Sequence, residues 1–243
     1  MNFIARLLIV ILLPSVLYAK DINVYLRFDE PILYKSIKQF NDYLENKGIF
    51  SRYHLKPFLE HHPLHITLYL ASYHESQLDK IKLRVAHMAE QSQRIEAKTT
   101  QIYLTLGNYV MLDLDMNSPH SDATRMLQKL SDVLTIQLSE LRDFNAKIPD
   151  WAETIPVKKR AFLRYGSPNV FFEFSPHFTL MAKNFEDKEE ERRFQKEMSQ
   201  LIQDYDFPNL MVESASIGIG YVDNFGQVTE ELCSYPLRAE NSN

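Results

Sequence analysis

The residues best equipped for chemistry are two tetrads, His65-Ile66-Thr67-Leu68 and His177-Phe178-Thr179-Leu180, 112 residues apart. Each joins an imidazole, able to take or give a proton near neutral pH, to a hydroxyl that can donate to an anion. Side chains alternate along a strand, so in extended runs His65 and Thr67 share a face, as do His177 and Thr179. Ile66, Leu68, Phe178 and Leu180 are then left for a core. Two such units facing a common substrate would form an acid–base pair, one imidazole taking a proton and the other giving one, with a hydroxyl beside each. A single His-x-Thr says little; its repetition is the signal.

The elements that must position these tetrads also repeat. Ile22 to Phe28 alternates as a strand, and a helix opened by Pro31 carries Leu33, Ile37, Phe40 and Leu44 at helical spacing before Gly48. A connector over 49–63 leads to a strand from Leu64 to Ala71, an amphipathic helix from Ser76 to Arg94 and a strand from Glu96 to Leu106. After a turn at Gly107-Asn108 the order restarts: a strand at Tyr109–Asp115, a helix from Asn117-Ser118-Pro119 to about Leu141, a connector over 142–175, and the strand His177–Ala182. A charged helix at 187–203 and strands at 211–222 and 227–235 complete the chain. His65 precedes Gly107 by 42 residues and His177 precedes Gly220 by 43. An internal duplication is expected, with each half lending one His-x-Thr strand to a central cleft.

Composition sets the bounds. The 243 residues are 45% hydrophobic, enough for one sizeable core or two small lobes, and the formal net charge of −5 argues against bulk electrostatic binding of long nucleic acids. Residues 1–19 have the layout of a cleavable signal peptide: a basic start at Arg6, an apolar run from Leu7 to Leu17, and Ala19 before Lys20-Asp21. A spanning helix needs ~20 apolar residues, so an uncleaved anchor is the secondary expectation and a periplasmic or secreted protein the first. The single cysteine, Cys233, has no internal disulfide partner and reads as a buried structural thiol.

On the two tetrads and the repeated layout over residues 22–237, the sequence resembles the two-histidine (2H) phosphoesterase superfamily, whose bacterial representatives are often called 2′-5′ RNA ligase-like proteins. The resemblance implies an α+β fold, bilobal and duplicated, with two antiparallel-rich sheets around a central cleft and helices outside. Residues 20–243 would form that single bilobal domain. It also implies metal-free cleavage of a 2′,3′-cyclic phosphate or of a 2′-5′ or 3′-5′ phosphodiester, with no cofactor. On this basis His65 and His177 are the general acid and base, and Thr67 and Thr179 hold the phosphate oxygens. The substrate would be a nucleotide or short RNA, acted on by a monomer.

Three further residues join the expected substrate-binding set. Family members commonly carry a basic residue five places after the second histidine; here that place is Ala182, and Lys183, six places on, shares the His177 face by strand parity. Tyr69 shares the His65 face by the same rule. Tyr165 lies in the aromatic second connector, beside Lys158-Lys159-Arg160 and Arg164, where a base could stack. Two competing readings stand beside this one: a catalytically silent module that binds a nucleotide or protein, and a metal-dependent hydrolase built on the cluster His61, His62 and His65. Pro63 opposes the latter by disfavouring the helix that would align His61 with His65.

Overall fold

In the computed structural model, residues 19–116 and 122–239 are described. Residues 1–18 of the expected signal segment (1–19) and the expected helix start at Asn117-Ser118-Pro119 lie outside them. Among the described residues there are eight strands: β1 (Lys20–Arg27), β2 (His65–Tyr73), β3 (Glu96–Leu104), β4 (Tyr109–Leu114), β5 (His177–Ala182), β6 (Met211–Glu213), β7 (Ser216–Val222) and β8 (Val228–Pro236). They form two antiparallel four-stranded sheets, ordered β2-β1-β7-β8 and β5-β4-β3-β6. The helices are α1 (Pro31–Asn46), α2 (Ile49–Tyr53), α3 (Leu78–Gln91), α4 (Asp122–Leu138), α5 (Asp150–Glu153), α6 (Pro156–Tyr165) and α7 (Lys188–Gln203). Among the described residues no helix is long and apolar enough to cross a membrane.

The strand orders carry the duplication. In each sheet the His-x-Thr strand lies at an edge, next to the first strand of its own half and then the third strand of the other half: β7 sits beside β1, and β3 beside β4. The halves are thereby interlocked. The matched spacing to Gly107 and Gly220 is not part of that symmetry, because Gly107 lies in the turn before β4 whereas Gly220 pairs with Asn23 inside β7. The stretch expected as one strand over 211–222 breaks at Ser214-Ala215, and its two pieces join different sheets.

Alternation on β1 sets the layering. Ile22, Val24, Leu26 and Phe28 are buried on the core side, where Phe28 meets Phe178 of the other sheet edge-on at 5.0 Å between centroids. The helix faces close over this layer. α1 begins with proline at its first turn, buries Leu33, Ile37, Phe40 and Leu44, and ends before Gly48, whose φ of +71° suits glycine. α7 is capped by Asp187, which accepts from the Glu189 amide at 2.7 Å; Glu189, Glu190 and Glu191 in its first turn complement the helix dipole. The second connector is more ordered than expected: it contains α5 and α6, and α6 buries no residue fully. Cys233 is half-buried on β8 rather than buried.

Candidate active site

β2 and β5, the edge strands, lie alongside each other, so the two tetrads meet where the sheets adjoin. The histidines are held alike. His65 Nδ1 is 2.9 Å from the Pro63 carbonyl, and His177 Nδ1 is 2.7 Å from the Ser175 carbonyl, in each case two residues back along the chain. A carbonyl only accepts, so Nδ1 carries the hydrogen and Nε2 of the neutral ring offers its lone pair. A proline accompanies each turn into the strand, Pro63 and Pro176, and disfavours helix just before it.

Both rings are disposed to be neutral. His65, 6% exposed, has its pKa lowered to about 4, first by burial; the Pro63 hydrogen bond opposes this, and the nearby His177 and His62 reinforce it. His177 is lowered too, mainly by burial, with the Ser175 carbonyl and the charge of Asp113 pulling back. That His177 contributes to the lowering at His65 reflects the nearness of the two imidazoles, whose strands lie alongside each other.

Just beyond each threonine the strand bulges. The pairing of β1 with β2 passes from Tyr25↔Thr67 to Val24↔Tyr69, skipping Leu68; that of β4 with β5 passes from Met111↔Thr179 to Val110↔Met181, skipping Leu180. The extra residue falls at the same place in both halves, three residues after the histidine. In the first half the Leu68 carbonyl accepts from the buried Ser131 hydroxyl of α4 at 2.7 Å.

The bulges overturn two expectations, because an inserted residue reverses strand parity. Tyr69 does not line the cleft: it turns into the core, 1% exposed, and its hydroxyl donates to the Tyr165 carbonyl. Lys183 does not share the His177 face: β5 ends at Ala182 after the bulge, and the Lys183 ammonium lies 5.2 Å from the centre of the Phe185 ring. Tyr165 is brought to Tyr69, not to the tetrads, and its ring packs on Phe171 at 4.7 Å. His65, Thr67, His177 and Thr179 are therefore the expected residues that the structure assembles.

Sequence reasoning missed the neighbours supplied by β1 and β4. On the cleft side of β1 lie Asn23, Tyr25 and Arg27. Asn23 Nδ2 donates to Thr67 Oγ1 at 2.8 Å. Tyr25 sets its edge against His65 at 5.2 Å and donates to Glu231 at 2.6 Å, while Arg27, the Cα partner of His65, reaches Asp29 and Glu231. Tyr25 lies over Gly218, where an added Cβ would come within 2.3 Å of its ring. On β4 the corresponding residues are Tyr109, Met111 and Asp113, with Asp113 opposite His177. A signal for the first set exists in the chain, since the residues alternating with Ile22, Val24 and Leu26 are polar or aromatic.

His61 and His62 take separate places. His62 Nδ1 donates to the Val228 carbonyl at 2.8 Å, with Nε2 3.9 Å from Asp223, while His61 is exposed beside Glu60. No group of three or more His, Cys, Asp or Glu among the described residues is arranged to hold a metal ion. A cavity of about 570 Å³ opens by α2 and α7, lined by Arg52, Tyr53, Arg193 and Lys196 among others. It includes neither imidazole nor either tetrad hydroxyl, so its volume does not define the site; the paired imidazoles do.

Two antiparallel sheets, meeting at edge strands that each carry a histidine and a threonine, define the two-histidine phosphoesterase fold, and this chain has it. Among solved structures, it resembles that of TT0787 from Thermus thermophilus with a TM-score of 0.53 at 13% identity, over 90% of this chain and 99% of that one. Kluyveromyces marxianus Usb1 with uridine monophosphate matches at a TM-score of 0.49 and 12% identity, over 90% and 98%. Escherichia coli LigT complexed with 3′-AMP matches at 0.48 and 12%, over 90% and 99%. At 13% identity the likeness to TT0787 establishes the fold alone. No family model matches the sequence, and no curated protein matches it.

Proposed function

We propose that the protein is an exported phosphodiesterase that hydrolyses a 2′,3′-cyclic phosphate, or a 2′-5′ or 3′-5′ phosphodiester, of a nucleotide or short RNA. The observation that carries this is the matched pair of imidazoles on adjoining edge strands, each with Nδ1 tied to a backbone carbonyl and Nε2 available for proton transfer. One imidazole takes a proton from water as its oxygen bonds to phosphorus. The bond from phosphorus to a ribose oxygen breaks, and that oxygen takes its proton from the other imidazole. Thr67 and Thr179 donate to the non-bridging oxygens, whose charge must be stabilised in the transition state. A nucleotide or short RNA is the substrate class that the resemblance of the two tetrads implies, and the signal-like layout of residues 1–19 supports export.

Because burial favours two neutral rings, the free protein supplies a base more readily than an acid. The bound phosphate completes the pair: its negative charge raises the pKa of whichever imidazole is to hold the proton. A bell-shaped pH profile for turnover is therefore expected. The reading is tested by turnover of uridine 2′,3′-cyclic phosphate with and without a chelator. His65→Ala and His177→Ala are expected to abolish it while remaining folded, and EDTA to leave it intact. Retained nucleotide binding without turnover of any phosphodiester in a panel would instead identify a silent binding module, and loss on chelation a metal enzyme.

A further inference from the structure

Thr67 and Thr179 occupy equivalent places after the two histidines, yet their surroundings differ. Asn23, on the neighbouring strand β1, is fully buried, and its Nδ2 donates to Thr67 Oγ1 at 2.8 Å and to the Gly226 carbonyl at 3.4 Å. That second contact fixes the sense of the amide, since a carbonyl faces the NH2 end and not the oxygen. Asn23 Oδ1 finds no hydrogen-bond partner among the described residues, so burying this amide is costly and packing alone does not account for it. The corresponding position on β4, opposite Ala182 as Asn23 is opposite Leu70, is held by Tyr109. No described side chain plays Asn23's part for Thr179.

A hydroxyl that accepts a hydrogen bond from an amide has its own proton left to give. We infer that Asn23 is a positioning residue: it commits Thr67 to act as a donor toward the phosphate in the cleft before substrate arrives, whereas Thr179 is oriented only by the substrate. This rests on the phosphodiester reading of the cleft. It deepens that reading by making the two threonines unequal, one preset and one adaptive. Through Gly226 the same amide also ties Thr67 to the turn between β7 and β8, which packs Phe225 against Phe58 and Tyr109.

The test is a double-mutant cycle over Asn23→Ala and Thr67→Val, with Thr179→Val as the control background. The readouts are kcat and KM for uridine 2′,3′-cyclic phosphate, and the affinity for inorganic phosphate. Asn23→Ala is expected to lower kcat about tenfold, the size of one lost hydrogen bond, with a smaller change in KM. It should have almost no further effect in Thr67→Val, and its full effect in Thr179→Val. Asn23→Asp keeps the shape of the amide and so serves if the alanine variant does not fold. Its carboxylate would accept a hydrogen bond from the Thr67 hydroxyl and draw that donor away from the phosphate, so its activity relative to wild type should fall at higher pH and recover as acid restores a proton the side chain can donate.

An equal loss from Asn23→Ala with and without the Thr67 hydroxyl would overturn the inference, as would a flat relative pH profile for Asn23→Asp. If the wild-type protein turns over no phosphodiester, the functional reading fails instead. The phosphate-affinity cycle then still decides on Asn23, with independent effects at positions 23 and 67 counting against it.

Discussion

The half around His65 and the half around His177 share their machinery and differ in what lies beneath it. Shared are the imidazole tied to a carbonyl two residues back, the threonine two residues on, and the bulge after that. Different are the flanking strands: Asn23, Tyr25 and Arg27 on β1 against Tyr109, Met111 and Asp113 on β4. The bulk is also exchanged between strands. In the first sheet an aromatic ring on β1, Tyr25, lies over Gly218; in the second, β4 offers Met111 and the aromatic comes from Tyr103 on β3, whose hydroxyl is 3.3 Å from the Met111 sulfur. A duplicated frame supplies the pair of imidazoles, and unequal linings give the halves different electrostatics.

That comparison can be broken at several levels. The largest effect should come from the shared part: His65→Asn and His177→Asn are each expected to lower kcat ~10²–10⁴-fold, because each proton transfer needs its own group. A tenfold or smaller loss for either would make the halves functionally unequal at their core. Next is the exchanged bulk. Gly218→Ala must displace Tyr25 and with it the wall of His65; a loss of about 1–3 kcal/mol in stability is expected, read by urea unfolding, together with reduced turnover.

The third effect is electrostatic and has a definite sign. His65 has a folded-state pKa of about 4, below its unfolded value of ~6.5, so acid protonates the unfolded chain first. Its contribution to stability is complete above the unfolded pKa and is lost as pH falls through about 4. Between pH 7 and pH 4.5 it should account for about 2–3 kcal/mol of lost stability, and His65→Asn should lessen the acid sensitivity by that amount. His177 acts in the same direction. The smallest effect should follow Lys183→Met, which removes a cation placed over Phe185 and is expected to change turnover less than about twofold.

Much of this is legible in the chain because it depends on short periods. The alternation of Ile22, Val24, Leu26 and Phe28, the helical spacing of Leu33, Ile37, Phe40 and Leu44, and the two tetrads each reveal one face of one element. The bulges are not legible: each inserts a residue through pairing with a strand distant in sequence, and this is why simple strand parity puts Tyr69 and Lys183 on the wrong face. α6 escapes notice because it buries none of its residues fully and so lacks a clean apolar stripe. The Asn23 contact with Thr67 spans 44 residues, and nothing local announces it.

Everything proposed for the cleft depends on both imidazoles addressing a single phosphorus. A crystal structure with a uridine–vanadate complex, a mimic of five-coordinate phosphorus, would show this. His65 Nε2 and His177 Nε2 should lie within hydrogen-bonding distance of the two apical oxygens on opposite sides of vanadium, with the Thr67 and Thr179 hydroxyls on equatorial oxygens. Vanadate bound with only one imidazole in reach, or seated in the cavity by α2 and α7, would contradict it.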